Sequence, residues 1–304
     1  MDVAARLVVV ANPSAGGGKA GRLIGRVDAH LHALGLDHEI RVSESAAELE
    51  RLARTAAEDG AEIVAVLGGD GSVNGAVNGL LGTKAALAVL PAGTGDDFAK
   101  GIGSGKLDAA TKRLVDPTIR EIDVVRVVAG ATERHFVNVA GAGFDSDVNE
   151  TANAMTTRLG GTGTYVVAVL RTLRTFTAAN YEITVDAETM TLSAMLAVVG
   201  NGASYGGGMK VLPAASVTDG LLDVCIVEEL SRVAFLRAFP RVFRGTHVSH
   251  PKVRMLRGRT VKLEADRRIL VYADGERIGP LPAIFEVEPG ALRAVVDPEA
   301  RTVV

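Results

Sequence analysis

The sequence predicts two domains, an N-terminal α/β domain on a parallel sheet and a following β-rich domain. Three observations carry this. Apolar runs alternate with helical patterns over the first third of the chain. Glycine-rich motifs fall at the carboxyl ends of those runs. After about Ile119, strand-like segments follow one another with few helices between.

Leu7–Ala11 is a continuous apolar run, as expected of a buried parallel strand. A helical pattern follows around Leu23, Val27, Leu31 and Leu34. His38–Val42 reads as the second strand and Ala46–Asp59 as a helix, with Ser43 or Ser45 available as its cap. Ile63–Leu67 is the third strand, Ser72–Leu81 a helix and Ala86–Leu90 the fourth strand. Such alternation with short links gives a parallel sheet with helices on both faces, and ligands bind at the strands' carboxyl ends. The later strands are Val124–Val128, Arg134–Ala140, Glu182–Val185, Met190–Val199, Leu222–Val227, Thr260–Ala265, Leu270–Ala273 and Ile284–Val287. Helices interrupt them near Thr164–Thr175 and Ser231–Arg244. The first domain is expected over 1–122, rejoined by 291–304 through Leu292–Val296, and the second over 123–290.

Composition narrows the function classes. The 304 residues are 47% hydrophobic, enough for ordinary cores. A net charge of -3 and an aromatic share of 4% without Trp argue against a nucleic-acid partner. The one cysteine, Cys225, lies in the apolar run Leu221–Val227 and reads as core, which fits a reducing cytoplasm. No signal-peptide pattern is evident, and no run reaches the ~18 apolar residues of a membrane span. The expected localisation is therefore cytoplasmic.

Three loops carry the chemistry. Asn12-Pro13-Ser14-Ala15-Gly16-Gly17-Gly18-Lys19 joins a strand to a helix, where glycines let backbone N–H groups approach an anion. It is not a Walker A loop, because Pro13 and Ala20 stand where Gly and Ser or Thr are needed. Gly16–Gly21 does match G-x-G-x-x-G, which leaves a dinucleotide-binding oxidoreductase open, with Asp37 or Glu39 toward the ribose. The second loop is Gly68-Gly69-Asp70-Gly71-Ser72-Val73-Asn74. Asp70 puts a carboxylate beside the expected anion site, a conflict that a divalent cation resolves by bridging carboxylate and phosphates. Ser72 is a candidate helix cap. The third loop, Leu90-Pro91-Ala92-Gly93-Thr94-Gly95-Asp96-Asp97-Phe98-Ala99, adds two glycines, a hydroxyl and a carboxylate pair. One such loop is readily structural; three on consecutive units point to a phosphate site.

These residues resemble the motifs of the diacylglycerol kinase catalytic-domain family: Asn-Pro-x-Ser-Gly, Gly-Gly-Asp-Gly-Thr and Pro-x-Gly-Thr-x-Asn-Asp-Phe-Ala. Ala15 shifts the first glycine, Ser72 replaces Thr and Asp96 replaces Asn. The resemblance continues through Gly141-Ala142-Gly143-Phe144-Asp145, Asn201–Met209, Asp219-Gly220-Leu221-Leu222-Asp223 and Asp274-Gly275-Glu276, so it spans nearly the whole chain. It is closest to the soluble bacterial branch, related to sphingosine and NAD kinases. It implies a Rossmann-like nucleotide domain plus a β-sandwich-like domain that contributes the lipid site and the general base. It implies an ATP-dependent lipid kinase, with diacylglycerol as the leading acceptor and phosphatidic acid as product. Asn12, Pro13, Ser14, Ala15, Gly16, Ser43, Gly68 through Asn74, Thr94 and Glu276 would contact the nucleotide. Asp274 would be the general base. Asp70 and Asp97 would serve the Mg²⁺-nucleotide and catalysis. Ser216, Asp219 and the Leu221 carbonyl would hold a structural Mg²⁺. Asp274-Gly275 taken alone reads as a hairpin turn. A kinase of a soluble substrate such as NAD, and a non-catalytic nucleotide sensor, stay open.

Two other features of the sequence carry functional patterns. Gly202-Ala203-Ser204-Tyr205-Gly206 matches G-x-S-x-G, but a nucleophile elbow must lead into a helix, and Gly206-Gly207-Gly208 follows. Between Glu229 and Glu264 there is no acidic residue, while nine Arg and Lys residues, with Phe235, Phe239 and Phe243 at every fourth position, fill the stretch. Segment 231–262 is thus a candidate for peripheral contact with an anionic membrane, the alternative being that the Phe residues are core. The oligomeric state is not legible, and a homodimer stays open.

Overall fold

The computed structural model describes residues 6–155 and 161–303. The chain forms two compact units. One comprises the described residues up to Val124, with Ser216–Asp219 and the segment from Glu288 on; the other comprises Val125–Ala215 and Gly220–Val287. The expected division left 216–219 in the second domain, and here the structure differs. Backbone bonds from Asp123 N–H to Val217 O (2.7 Å) and from Val217 N–H to Thr302 O (2.8 Å) tie this loop to the first unit.

The first unit runs β1 (Leu7–Ala11), α1 (Ala15–Ala33), β2 (His38–Val42), α2 (Ala46–Glu58), β3 (Ile63–Gly68), α3 (Asp70–Leu80), β4 (Ala86–Pro91), α4 (Asp97–Gly101) and α5 (Leu107–Arg113). Its strands pair in parallel in the order β2-β1-β3-β4. β1, β3 and β4 are buried along their whole length, which is why they read as unbroken apolar runs. Val27 and Leu31 of α1 bury against Val9, Ala65 and Leu90 in one core. Ser45 caps α2, accepting from Glu48 N–H at 3.1 Å, while Glu48 Oε2 accepts from Glu44 N–H at 2.7 Å.

Strand β5 (Ile119–Ala129) leads into the second unit: β6 (Thr132–Phe136), β7 (Val139–Gly143), α6 (Phe144–Ala154), α7 (Gly161–Thr175), β8 (Ala179–Val185), β9 (Glu188–Gly200), β10 (Leu222–Glu228), α8 (Arg232–Ala238), β11 (Val253–Gly258), β12 (Thr260–Ala265), β13 (Leu270–Ala273) and β14 (Glu276–Pro280). β15 (Ala283–Val295) begins there and ends in the first unit, where Arg293 and Ala294 pair in parallel with β4. The second unit is a β-sandwich-like domain of antiparallel strands: β9 pairs with β7, β8 and β10, and β12 joins β8 to β15. Tyr181, Phe136 and Phe285 fill its core.

Two sequence expectations need correction here. Arg134–Ala140 is not one strand; it breaks at Val137 and Asn138. Ser231–Arg244 is α-helical only to Ala238 and continues as a 3-10 helix from Phe239, because Pro240 has no N–H to extend the α-helix.

Candidate active site

The three glycine loops of the first unit meet at the carboxyl ends of β1, β3 and β4. Asn12 Nδ2 donates to Ser72 Oγ at 3.1 Å, joining the first loop to the second. Gly16 has φ +60°, and a Cβ there would lie 2.2 Å from Ala92 O, so the first loop also presses on the third. Gly69 and Gly93 pack backbone to backbone: a Cβ on Gly93 would lie 2.7 Å from Gly69 Cα. Only glycine permits these approaches. Gly16, Gly17 and Gly18 are all left-handed, so the regular part of α1 begins after them. Ser14, Gly17, Gly71 and Thr94 are exposed on this surface.

The acidic residues sit just beneath. Asp97 is buried. Asp70 is pushed up to about 6, chiefly by burial and then by the Asp97 charge. A long bond from Phe98 N–H, 3.4 Å to Oδ1, and the backbone N–H of Asp97 oppose this. Two carboxylates placed this way form a site that a divalent cation would complete, so the residues present fit a Mg²⁺-nucleotide. Asp96, which sequence reasoning left without a role, closes the third loop: its Oδ1 accepts from Gly93 N–H at 2.9 Å. Its left-handed φ of 50° is the signal that Asn or Asp is wanted there.

Other predicted residues take different places. Ser72 does not cap α3; Gly69 does, and Ser72 lies inside the first turn with its hydroxyl on Asn12. Val73 points into the core. Ser43 is buried, its Oγ donating to Ala11 O at 3.1 Å, so it fastens the end of β2 to β1. Ser216 is buried with its hydroxyl engaged: Oγ donates to Thr302 O at 3.2 Å and accepts from Thr218 N–H at 3.3 Å. That leaves its carbonyl as the available donor. Asp219 is exposed. One carboxylate with backbone carbonyls is a hard-oxygen set that suits Mg²⁺.

Asp274 lies in the second unit, in the two-residue turn between β13 and β14. Its φ is 47° and that of Gly275 is 84°, as a type I′ hairpin requires. The turn reading was right, and it was incomplete. Asp274 Oδ2 accepts from Val137 N–H at 3.1 Å and Oδ1 accepts from Val139 N–H at 3.0 Å. Those two bonds explain the break between β6 and β7. Glu276 faces Arg134 at 3.9 Å, a loose pair. Cys225 is fully buried and its thiol is pushed up to about 12 by burial, which makes it inert core.

The second unit also holds a cavity of about 730 Å³ lined by Asp147, Glu150, Arg171, Arg267, Arg268 and Arg277 among others. Its charged lining does not suit an acyl chain.

Residues 6–127 match the diacylglycerol kinase catalytic domain, and residues 138–296 match the YegS C-terminal NAD kinase beta sandwich-like domain. These matches place the chain in a family of kinases. Over 95% of its length the chain is 36% identical to a diacylglycerol kinase of Mycobacterium tuberculosis, covering 94% of that protein. It is 30% identical to a probable lipid kinase YegS-like of Shewanella frigidimarina, with 86% and 84% covered. A crystal structure of a putative diacylglycerol kinase from Bacillus anthracis superposes with a TM-score of 0.80 over 97% of this chain and 98% of that one; at 23% identity this likeness speaks to the fold. The chain belongs to the diacylglycerol kinase catalytic-domain family, a family of lipid kinases. The oxidoreductase reading of Gly16–Gly21 falls with that membership. Among the described residues no helix is long and apolar enough to cross a membrane.

Proposed function

We propose that this chain transfers the γ-phosphate of ATP to a lipid hydroxyl, with diacylglycerol as acceptor and phosphatidic acid as product. The observation that carries the reading is the mutual packing of three glycine loops over Asp70 and Asp97, a surface that phosphates and a cation would complete. The choice of acceptor is supported by the relatives named diacylglycerol kinase.

In this mechanism the loops' backbone positions the phosphates, and Asp70 and Asp97 would hold the cation. Mg²⁺, when bound, would supply charge neutralisation for phosphoryl transfer. Asp274 accepts the proton of the lipid hydroxyl as that oxygen attacks the γ-phosphorus and ADP leaves. Its two backbone bonds fix the carboxylate in place. Asp219, with the Leu221 and Ser216 carbonyls, would hold the structural Mg²⁺. The test is labelled phosphate transfer from ATP to diacylglycerol in detergent micelles, comparing wild type with Asp274→Asn. Labelled lipid from the wild type alone supports the reading. An active, ATP-binding preparation that labels NAD and no lipid replaces it with a soluble-substrate kinase.

Membrane contact belongs to the same proposal. Phe235 is core, but Val233, Leu236, Phe243 and Val248 are exposed in the same segment as exposed Arg232, Arg237, Arg241 and Arg244. An apolar and cationic surface of this kind suits the anionic inner face of a bilayer. Leu236→Ser with Phe243→Ser should abolish sedimentation with phosphatidylglycerol-containing liposomes and leave transfer to micellar lipid intact. Unchanged sedimentation would remove this surface from the proposal.

A further inference from the structure

The far end of α1 carries a cluster unconnected with the glycine loops. The helix stops in a Schellman turn: Leu36 N–H donates to Leu31 O at 3.1 Å, Gly35 N–H donates to His32 O at 3.0 Å, and Gly35 has φ 72°. This reversal returns the chain into β2 and lays His38 against the last turns of the helix. Asp28 and His32, four residues apart, share that helix face.

The three side chains converge. Asp28 Oδ1 lies 3.1 Å from His38 Nε2 and 3.5 Å from His32 Nδ1, which also lies 3.3 Å from Asp28 O and must release that carbonyl to act as a ligand. All three ligand atoms fall within 4.8 Å of one another. Metal–ligand bonds of ~2.0–2.1 Å in a tetrahedron put neighbouring ligand atoms ~3.3 Å apart. The cluster is therefore already close to the size of a coordination shell. The exposures differ usefully: the His38 side chain is 2% exposed, Asp28 51% and His32 74%. A fixed inner ligand is thus joined by two that open to solvent.

The tautomer of His38 points the same way. His38 Nδ1 lies 3.0 Å from Leu36 O, which can only accept, so the hydrogen sits on Nδ1. In a neutral ring, Nε2 then carries a lone pair aimed at a carboxylate oxygen. Two acceptors at 3.1 Å repel unless a cation lies between them. That cation is either a second proton on the ring or a metal ion. An imidazole whose other nitrogen is fixed by a backbone carbonyl is also the usual arrangement of a metal-ligating His.

We propose that Asp28, His32 and His38 form a binding site for a borderline divalent metal ion of the Zn²⁺ class, with a fourth position open to water. Two imidazoles and one carboxylate favour Zn²⁺, Ni²⁺ or Cu²⁺ over the hard, oxygen-seeking Mg²⁺ of phosphoryl transfer. The bound ion joins the C-terminal end of α1 to the start of β2. It acts on the stability of that corner and not on the phosphates.

The test is isothermal titration of the untagged chain with Zn²⁺ at neutral pH in excess Mg²⁺, for wild type, His32→Ala and Asp28→Asn. Wild type should bind one Zn²⁺ per chain saturably and melt at a higher temperature with it. Each variant should lose about tenfold or more in affinity, and lose the shift in melting temperature. His32 and Asp28 are exposed, and unchanged melting of the metal-free variants will verify folding. If wild type binds no Zn²⁺, or binds it no better than His32→Ala, the cation at His38 is only a proton and the site does not exist.

Discussion

Asp70 and Asp274 are both carboxylates in glycine turns at strand ends, one in each unit, and their surroundings are opposite. Asp70 is half-buried like Asp274, but it stands beside Asp97, has only weak backbone bonds, from Phe98 and Asp97, and is pushed up to about 6. Asp274 is half-buried and accepts two backbone N–H bonds of 3.0 and 3.1 Å. The first environment disfavours charge until a cation arrives. The second orients a carboxylate before any substrate arrives. The two proposed roles, holding Mg²⁺ and accepting a proton, thus rest on different hydrogen bonds and different neighbouring charge.

The largest effects should follow this division. Asp274→Asn should lower kcat by about 10²–10⁴-fold with the Mg²⁺ requirement unchanged. Asparagine tolerates the left-handed φ of 47°, so the turn survives. Asp70→Asn should also lower kcat, but with half-saturation by Mg²⁺ moved upward. Mg²⁺ titrations of the two variants decide the matter, and a shifted Mg²⁺ requirement in Asp274→Asn would reverse the assignment. Glycines give the next step down. Gly93→Ala puts a Cβ 2.6 Å from Asp96 Oδ1 and 2.7 Å from Gly69 Cα, so loops must part. We expect a cost of about 1–3 kcal/mol and a raised KM for ATP. Gly275→Ala meets no neighbour within 4 Å but is strained at φ +84°. It should cost about 1–2 kcal/mol with ATP binding untouched. Equal effects of both on KM would mean that the turn at Asp274 also shapes the nucleotide site.

The legibility of the two regions differs for the same reason. The loops over Asp70 were readable because each depends on local sequence: an apolar run, then glycines, then a helix. Asp70 was suspect from its place among glycines alone. The hold on Asp274 depends on Val137 and Val139, more than 130 residues away, so no local pattern announces it. For that reason Arg134–Ala140 read as one strand. Short elements were also lost: α4, α5 and β14 have 5, 7 and 5 residues, too few to show a period. β11 buries fully only Gly258 and gave no apolar run. The loop 216–219 looked like second-domain sequence because its allegiance lies in backbone bonds to Asp123 and Thr302, which side-chain patterning does not record.

A last prediction tests whether a raised carboxylate always signals a cation. Asp145, in the second unit, is fully buried, and its Oδ1 has no partner among the described residues. Burial pushes it up to about 7, against nearby backbone N–H groups and with a small addition from Asp147. Unfolded, an Asp titrates near ~3.9. Between roughly pH 4 and 7 the folded chain therefore keeps a proton that the unfolded chain has released. By linkage its contribution favours folding at low pH, falls as pH rises through that window, and is flat above it. Asp145→Asn removes the titration. Urea unfolding at pH 5 and pH 8 should show the variant gaining on wild type at the higher pH by on the order of 1–3 kcal/mol. Parallel curves would mean that Asp145 stays ionised in the fold. Repeating the series with Mg²⁺ and nucleotide separates the two acidic sites. The part of the slope due to Asp70 should shrink, because a cation stabilises its charged form, while the part due to Asp145 should not change. If Mg²⁺ removes the Asp145 slope as well, the second unit contains a cation site of its own, and burial beside a second carboxylate is no longer what sets Asp70 apart.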